Sequence, residues 1–358
     1  MTVRITKPEI NVREKLAELD KPSGIAGEAM LRAETPQEQF NLISAGRRNL
    51  VMNGGFDVWQ RGTSITTTGN GYGINYTSDR WIAYFIGTYS KQSTSLPNGD
   101  YVNYFRGVLG AGGSNRLNIN QVIENGNSLL SGKNVTVSFW LKCNVPNKSI
   151  LLRLLAVNNS TFSSYAVLGQ NTFYTDTAWK KYEITVPCNN DTANISSRPH
   201  AILELDGVDA DWGNGDTFEF AQVQLELGKV ATPFEHRSYG EELALCQRYY
   251  QQFAYTSLYQ SVGDGQAGTT SSGYILFRFL NEMRVPPTIS NNGAGNFRVN
   301  SFASGQDQTC TSIAYDHITA HGARIQFSKT TADFTMNQNI YINTEAGNDA
   351  YLYISAEL

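Results

Sequence analysis

The stretch that decides the fold runs from residue 221 to residue 250 and reads Ala221-Gln-Val-Gln-Leu-Glu-Leu-Gly-Lys-Val-Ala-Thr-Pro-Phe-Glu-His-Arg-Ser-Tyr-Gly-Glu-Glu-Leu-Ala-Leu-Cys-Gln-Arg-Tyr-Tyr250. Its first apolar residues alternate with polar ones, the period of a strand with one buried and one wet face; they are Ala221, Val223, Leu225 and Leu227. Ser238 and Glu241 then have capping-box spacing, so a helix is predicted to begin there. One side of this helix would carry Leu243, Cys246, Tyr249 and Phe253. The stretch therefore predicts the last strand of one domain, followed by a linking helix over 238–253.

The chain before this stretch, over 49–237, alternates in the same way. Apolar and polar residues alternate in runs such as 135–142, 181–186 and 201–205. Because no helical run separates them, these strands predict an antiparallel sandwich and not parallel βαβ units. Jelly rolls and immunoglobulin-like sandwiches both fit this pattern.

Strands return after the helix, over 254–358. Alternation in 275–279, 324–327 and 351–354 predicts a second, smaller β-sandwich. Two segments rich in glycine, serine and asparagine, 261–273 and 291–305, are predicted to be long loops of the kind that carry recognition on a rigid frame.

The composition argues against several classes of function. The 358 residues, 41% of them hydrophobic, are enough to bury sizeable cores. A net charge of −4 without a Lys/Arg cluster argues against nucleic acid as a ligand. The charged N-terminus is unlike a signal peptide, and the longest apolar run, 150–157, is interrupted by Arg153, so no membrane insertion is expected. The four cysteines lack paired spacing and are expected to be free thiols, mostly buried, in a protein made in a reducing cytoplasm.

Two further segments carry a resemblance to a known family: Asn49-Leu-Val-Met-Asn-Gly-Gly-Phe-Asp-Val-Trp-Gln-Arg-Gly62 and Asp79-Arg-Trp81. With the 221–250 stretch, they resemble the tail-fibre and receptor-binding structural proteins of bacteriophages, particularly those with a jelly-roll module similar to carbohydrate-binding modules. The resemblance covers roughly residues 1–253, and 283–288 is similar to part of the tip domains of such fibres. It implies a jelly roll over 49–237 and a C-terminal β head over 254–358 that binds a host cell-surface polysaccharide. It also implies a homotrimer located in the phage tail and synthesised in the host bacterial cytoplasm.

Residues 1–48 differ from the rest of the chain, because they hold 15 of its charged side chains. Thr6 with Glu9, and Thr35 with Glu38, are spaced to begin two short helices. Their narrow apolar stripes cannot form a core alone and need a partner. The resemblance implies that this segment attaches to tail or baseplate proteins or packs against copies of itself; in a monomer it would pack on the following domain.

Candidate glycan-binding residues are aromatic side chains that the alternation places on polar faces or in loops, since apolar sugar faces stack on exposed rings. The candidates are Trp140, Trp179, Trp212, Tyr255, Tyr259 and Tyr274. The alternative for each ring is a structural role, in which it packs within its domain or at a subunit interface.

An acidic loop over 206–216 has oxygen ligands at spacings suited to calcium, here Asp209, Asp211 and Asp216. Its alternative is a turn in which Asp and Asn cap the backbone. The resemblance adds Asp57 as a calcium ligand and a second position on the closing strand, where this chain has Gln222, a weaker ligand than a carboxylate. A structural calcium is therefore a hypothesis, and no other cofactor is predicted.

No catalytic residue is predicted. The chain has no P-loop, nucleophile elbow or zinc-ligand spacing. Four glutamates are expected on solvated strand faces and do not form a recognisable glycosidase pair: Glu183, Glu204, Glu219 and Glu226. The sequence thus favours a non-catalytic, glycan-binding tail fibre, with a tail-associated glycan depolymerase and a purely architectural virion protein as alternatives.

Overall fold

The computed structural model describes residues 48–67, 75–111, 117–158, 164–207, 212–256, 259–301, 308–345 and 349–358. The two helices predicted within 1–48 lie outside these residues, as do Asp209 and Asp211.

The first part of the chain forms two six-stranded antiparallel sheets. Sheet A contains, in spatial order, β1 (Ser64–Thr67), β4 (Gly87–Ser95), β5 (Tyr101–Leu109), β12 (Thr217–Leu227), β7 (Asn134–Cys143) and β10 (Lys180–Pro187). Sheet B contains β2 (Asn75–Tyr76), β3 (Ile82–Ala83), β6 (Asn118–Ile123), β11 (His200–Gly207), β8 (Ser149–Val157) and β9 (Tyr165–Tyr174). Because β12 pairs with β5 and β7, which are distant in sequence, this part is a jelly-roll-like sandwich, as predicted.

The alternation predicted for the central strands is confirmed. In β7 the buried core residues include Val135, Val137, Phe139 and Leu141. The corresponding residues of β10 and β11 are Tyr182, Ile184, Val186, Ala201, Leu203 and Leu205. Facing side chains of the two sheets thus form one core, and the remaining residues of each strand define an outer face, which is turned away from the other sheet.

The closing strand, β12, differs from its predicted alternation. A bulge between Ala221 and Gln224 shifts the register against β7, and Gln222 there has a left-handed φ of 49°. Val223 and Leu225 lie in the core, whereas Ala221 belongs to a separate apolar cluster on the outer face of sheet A. The prediction that Ala221 shares a face with Val223 is therefore wrong, because the extra residue reverses the side to which the strand's earlier residues point.

The second part of the chain is a smaller sandwich, as predicted. Its three-stranded sheet C contains β13 (Tyr250–Tyr255), β22 (Ala350–Ser355) and β16 (Thr288–Asn291). Its seven-stranded sheet D contains β18 (Gln308–Thr309), β17 (Phe297–Ser301), β21 (Asn339–Thr344), β14 (Ser261–Ala267), β15 (Ser272–Arg278), β20 (Gly322–Ser328) and β19 (Ser312–Asp316). Strands β14 and β17 lie in the segments predicted as loops, so those two predictions are partly wrong. In β14, Gly265 allows close backbone approach, since an added Cβ would overlap the Tyr274 carbonyl of β15.

Two α-helices are present in the described residues, α1 (Gly126–Leu130) and α2 (Tyr239–Gln247), with short 3₁₀ helices at Thr192–Asn194 and Ala294–Asn296. The predicted start of α2 is confirmed, because Ser238 Oγ accepts a hydrogen bond from Glu241 N at 3.3 Å. The predicted helix over 238–253 is too long, since α2 ends at Gln247 and Phe253 lies in β13. Pairing of β13 with β22 satisfies the backbone of 250–255 as a ladder in place of a further helical turn.

The two sandwiches contact each other at a junction formed by α2, the start of β13 and residues 356–358. Asn53 N donates to Glu242 Oε1 at 2.6 Å, and Ala356 N donates to the Tyr249 carbonyl at 2.8 Å. Glu357 forms ion pairs with Arg61 and Arg80 of the jelly roll. Among the residues described above, no helix is long and apolar enough to cross a membrane.

Candidate functional site

The outer face of sheet A brings together two of the predicted glycan-binding tryptophans. Trp140, on β7, is directly opposite Ala221 of β12 and Lys181 of β10. Trp140 and Ala221 form an apolar cluster with Leu96 and Val102, and Tyr104 and Trp179 pack against it. A patch of aromatic rings therefore covers the centre of a sheet face that the sequence predicted to be polar.

Two rings of this cluster retain accessible surface. The Tyr104 and Trp179 rings are half-buried, and their centroids are 5.3 Å apart at an interplanar angle of 80°. Trp140 is only 8% exposed and lies beneath them as part of the cluster. Tyr104 and Trp179 are thus the rings that an incoming molecule would touch, while Trp140 supports them.

Charged residues line the same face next to the rings. In the sheet register, Glu219 of β12 is opposite Arg106 of β5 on one side and Lys142 of β7 on the other. Arg106 Nε lies 3.5 Å from Glu219 Oε1, and Lys142 Nζ lies 3.1 Å from Glu219 Oε2. Burial raises the pKa of the neighbouring Tyr104 hydroxyl, the Glu219 carboxylate raises it further, and Arg106 opposes both. Tyr104 therefore stays protonated and can donate a hydrogen bond.

We call this surface the Trp140 face; it comprises Tyr104, Arg106, Trp140, Lys142, Trp179 and Glu219. Its rings offer apolar contact, and its hydroxyl, guanidinium and ammonium groups offer hydrogen bonds at the edge of that contact. A sugar ring presents the complementary pattern, with an apolar C–H face bordered by hydroxyl groups. The Trp140 face can therefore hold a saccharide without any covalent chemistry.

Tyr104, Arg106 and Lys142 are not among the site residues predicted from the sequence. Tyr104 and Arg106 flank the core residue Phe105 in β5, and Lys142 follows Leu141 in β7. The sequence does contain a signal for Tyr104 and Arg106, because side chains alternate between the two faces of a strand, which places both neighbours of Phe105 on the outer face. What the sequence did not show is that β12 joins β5 to β7, which is what makes these residues neighbours.

The structure contradicts two of the other predicted aromatic candidates. Trp212 is 1% exposed within the jelly-roll core, so neither face of its ring is free for a sugar. Tyr255 is buried in the core of the second sandwich, and burial raises its pKa to about 12. Both rings take the packing role that was their alternative.

Tyr259 and Tyr274 remain accessible candidates in the second sandwich. Tyr259 is largely exposed, with the Arg298 guanidinium 5.8 Å from its ring centroid. Tyr274 is half-buried, with the Arg324 guanidinium 5.2 Å from its ring centroid. The two tyrosines do not form one site: Tyr274 pairs with Gln266 at the end of β14, whereas Tyr259 precedes the start of that strand.

Three of the predicted calcium positions, Asp57, Asp216 and Gln222, are among the described residues, and their hydrogen bonds favour the alternative of a turn. Asp216 Oδ2 accepts a hydrogen bond from Gly213 N at 2.6 Å, and Asp57 Oδ1 accepts one from Asn103 Nδ2 at 2.6 Å. Gln222 donates through Nε2 to Asp100 Oδ2 at 3.1 Å. In the part of the chain that the structure describes, no three His, Cys, Asp or Glu side chains converge on one point. Calcium bound through Asp209 and Asp211 stays a prediction.

Three of the four glutamates predicted on solvated faces are buried, namely Glu204, Glu219 and Glu226. Glu204 accepts hydrogen bonds from Arg153 and Asn118, at 2.7 Å each. Glu226 Oε2 accepts from Thr232 N at 3.0 Å. These glutamates do lie on the outer faces of their strands, but neighbouring side chains and loops cover them from water. Of the four, only Glu183 is exposed as predicted.

No family model matches the chain, and no curated protein matches it. Several solved structures are similar at low identity. A CBM4 carbohydrate-binding module is 18% identical, with 49% of this chain and 98% of that chain covered and a TM-score of 0.31. The CBM22-1–GH10 modules of Clostridium thermocellum xylanase 10B, complexed with xylohexaose, are 12% identical over 52% of this chain and 30% of theirs, with a TM-score of 0.30. The enzymatically active domain of tailspike protein 4 of bacteriophage CBA120 is 14% identical over 46% of this chain and 22% of its own, with a TM-score of 0.30. At these TM-scores the similarities carry no conclusion about what this chain binds.

Proposed function

We propose that this protein is a non-catalytic, glycan-binding fibre protein of a phage tail and that the Trp140 face of its jelly roll binds a host cell-surface polysaccharide. The observation that supports it is the convergence of Tyr104 and Trp179 with Arg106 and Lys142 on one face. The resemblance of the 49–62, 79–81 and 221–250 segments to phage fibre proteins points to the virion as its location.

The proposal extends to assembly. The apolar stripes in residues 1–48 would be covered by tail or baseplate proteins or by the other copies of a homotrimer. Light scattering of the purified full chain tests the trimer, and a monomer at micromolar concentration would contradict it. The glycan-binding proposal does not depend on that outcome.

Binding is tested with the surface polysaccharide of the phage's host bacterium, by affinity electrophoresis or calorimetry. Trp179→Ala removes an accessible ring and is expected to weaken binding about fivefold or more, since an aromatic contact contributes roughly 1 kcal/mol or more. Tyr165→Ala is the matched control, because Tyr165 is also an exposed strand aromatic but lies on β9 of sheet B.

Equal binding by Trp179→Ala and the unmodified protein would overturn the assignment of this face. New reducing ends released from the polysaccharide would instead indicate a depolymerase. No binding by the unmodified protein would leave an architectural virion component.

A further inference from the structure

The Trp140 face carries more positive than negative charge. Arg106 and Lys142 are 41% and 40% exposed, while the Glu219 carboxylate between them is only 7% exposed. One buried anion thus faces two cations whose outer parts reach solvent. The neighbouring Lys181 does not change the balance, since Glu183 Oε1 lies 2.7 Å from its Nζ.

Arg106 is incompletely satisfied by Glu219. The 3.5 Å separation between Arg106 Nε and Glu219 Oε1 exceeds the usual length of an N–H···O hydrogen bond. Within the described residues, buried Arg106 Nε has no hydrogen-bond partner. A buried N–H without an acceptor is costly, so Glu219 satisfies this guanidinium only in part. Because the Arg106 side chain as a whole is 41% exposed, an acceptor from outside would be bound by its outer part and not by the buried Nε.

Glu219 holds the two cations in place without neutralising both. Its side chain is fixed in the middle strand of the three, and each cation approaches a different carboxylate oxygen. Lys142 Nζ forms an ion pair with Glu219 Oε2 at 3.1 Å but no hydrogen bond to it, so Lys142 retains its N–H donors, and Arg106 retains those of its two terminal nitrogens. The cations are therefore held before a ligand arrives, which lowers the entropic cost of binding.

We infer that the Trp140 face selects glycans in which a sugar ring carries an anionic group, a carboxylate or a phosphate, bound by Arg106 and Lys142 while the ring contacts Tyr104 and Trp179. This inference rests on the proposed function. The planar fork of arginine fits the oxygens of either anion, and such charge-assisted hydrogen bonds are about twice as strong as neutral ones. The net charge of −4 does not oppose this binding, because salt screens charges that are far from the ligand, whereas Arg106 and Lys142 would contact it directly.

The test is an NMR titration of the ¹⁵N-labelled full chain, which has five tryptophan indole N–H groups. Those of Trp140 and Trp179 report on the face, and those of the core residues Trp59, Trp81 and Trp212 serve as internal references. The probes are the methyl glycosides of glucuronic and galacturonic acid, methyl glucoside and methyl galactoside, and glucose 6-phosphate. A uronoside is expected to shift the Trp179 indole with a dissociation constant at least about fivefold lower than its neutral counterpart. The phosphate probe separates the two anion classes.

Three variants distinguish charge selection from general binding. Arg106→Gln and Lys142→Gln should bring the affinities for the acidic and the neutral sugars to within about twofold of each other, chiefly by weakening the binding of the acidic sugar. Arg106→Lys keeps the positive charge but loses the planar guanidinium, so it should retain part of the preference for acidic over neutral sugars. Lys133→Gln is the control of equal charge change, because exposed Lys133 lies in the turn before β7, at the opposite end of that strand from Lys142. The dispersion of the remaining spectrum verifies that each variant is folded.

Equal affinity of the unmodified protein for acidic and neutral sugars would overturn this inference and leave the proposed function standing. An acidic preference that persists in both Gln variants would also overturn it. If no sugar shifts any indole signal, the inference fails, and the assay with the host polysaccharide decides whether the proposed function fails with it.

Discussion

Replacing Glu357 by Gln should destabilise the protein strongly, because this carboxylate neutralises a buried guanidinium at the junction between the sandwiches. The Glu357 and Arg80 side chains are 6% and 2% exposed, and they form an ion pair. Glu357 Oε1 also accepts a hydrogen bond from Arg61 Nη2 at 3.1 Å. The Arg80 guanidinium lies 3.6 Å from the centroid of the Tyr249 ring, so this charge is enclosed on several sides.

The size of the stability loss depends on the partners that Arg80 keeps when the negative charge of Glu357 is removed. Arg80 would keep the Val122 carbonyl, at 2.8 Å from its Nη2, as a neutral acceptor. Burial disfavours the charged guanidinium, and it is chiefly the Glu357 carboxylate that reverses this effect and raises the pKa of Arg80. Breaking a buried ion pair costs about 3–5 kcal/mol, and because Gln keeps one acceptor oxygen we expect the lower end, ~3 kcal/mol. At roughly 2–4 °C per kcal/mol, Tm should fall by about 6–12 °C.

Urea denaturation and calorimetry measure this effect, with Glu183→Gln as the matched control. Glu183 forms an exposed pair with Lys181, so its loss should cost less than about 1 kcal/mol. If Glu357→Gln changes the unfolding free energy no more than Glu183→Gln does, the carboxylate does not stabilise the junction and the reasoning is refuted.

Three further predictions concern the two sandwich cores and one surface turn. All four cysteines are buried, and burial raises the pKa of each thiol, so a thiol reagent should modify none of them in the native protein but all of them in urea; fast labelling of the native chain would contradict this. Hydrogen bonds from Arg198 lower the pKa of Asp191, so its contribution to stability is present above the unfolded pKa of about 3.9 and is lost as pH falls through the folded value. Asp191→Asn should therefore lower the urea midpoint at neutral pH by an amount that shrinks as the pH falls below the unfolded pKa of Asp191, and a pH-independent difference would oppose this account. Gly107→Ala should cost about 1–3 kcal/mol because an added Cβ overlaps the Phe218 ring, whereas Gly240→Ala, with open space around it, should be nearly neutral in the same melting experiment.

Most of the strand framework could be predicted because the period-two signal is local. Runs such as 135–142 need only their own residues to show which side chains are buried, and the structure confirms them. The end of α2 was not predictable in this way, since Tyr249 and Phe253 fit a helical stripe as well as they fit a strand. The ladder with β22, a strand about 100 residues away, decides the matter in favour of the strand. In β14, likewise, glycines that predict a loop are accommodated by partner strands on both sides.

The candidate site could be predicted only in part, because one bulge determines what lies at its centre. Without the extra residue at Gln222, the alternation of β12 would place Ala221 in the core with Val223. With it, the small side chain of Ala221 lies on the outer face opposite Trp140, and the rings of Tyr104 and Trp179 pack over this cluster. The same register places Glu219 between Arg106 and Lys142. A long side chain in place of Ala221 would separate the aromatic rings from one another, so the rings and the paired cations depend on the same irregularity in a single strand.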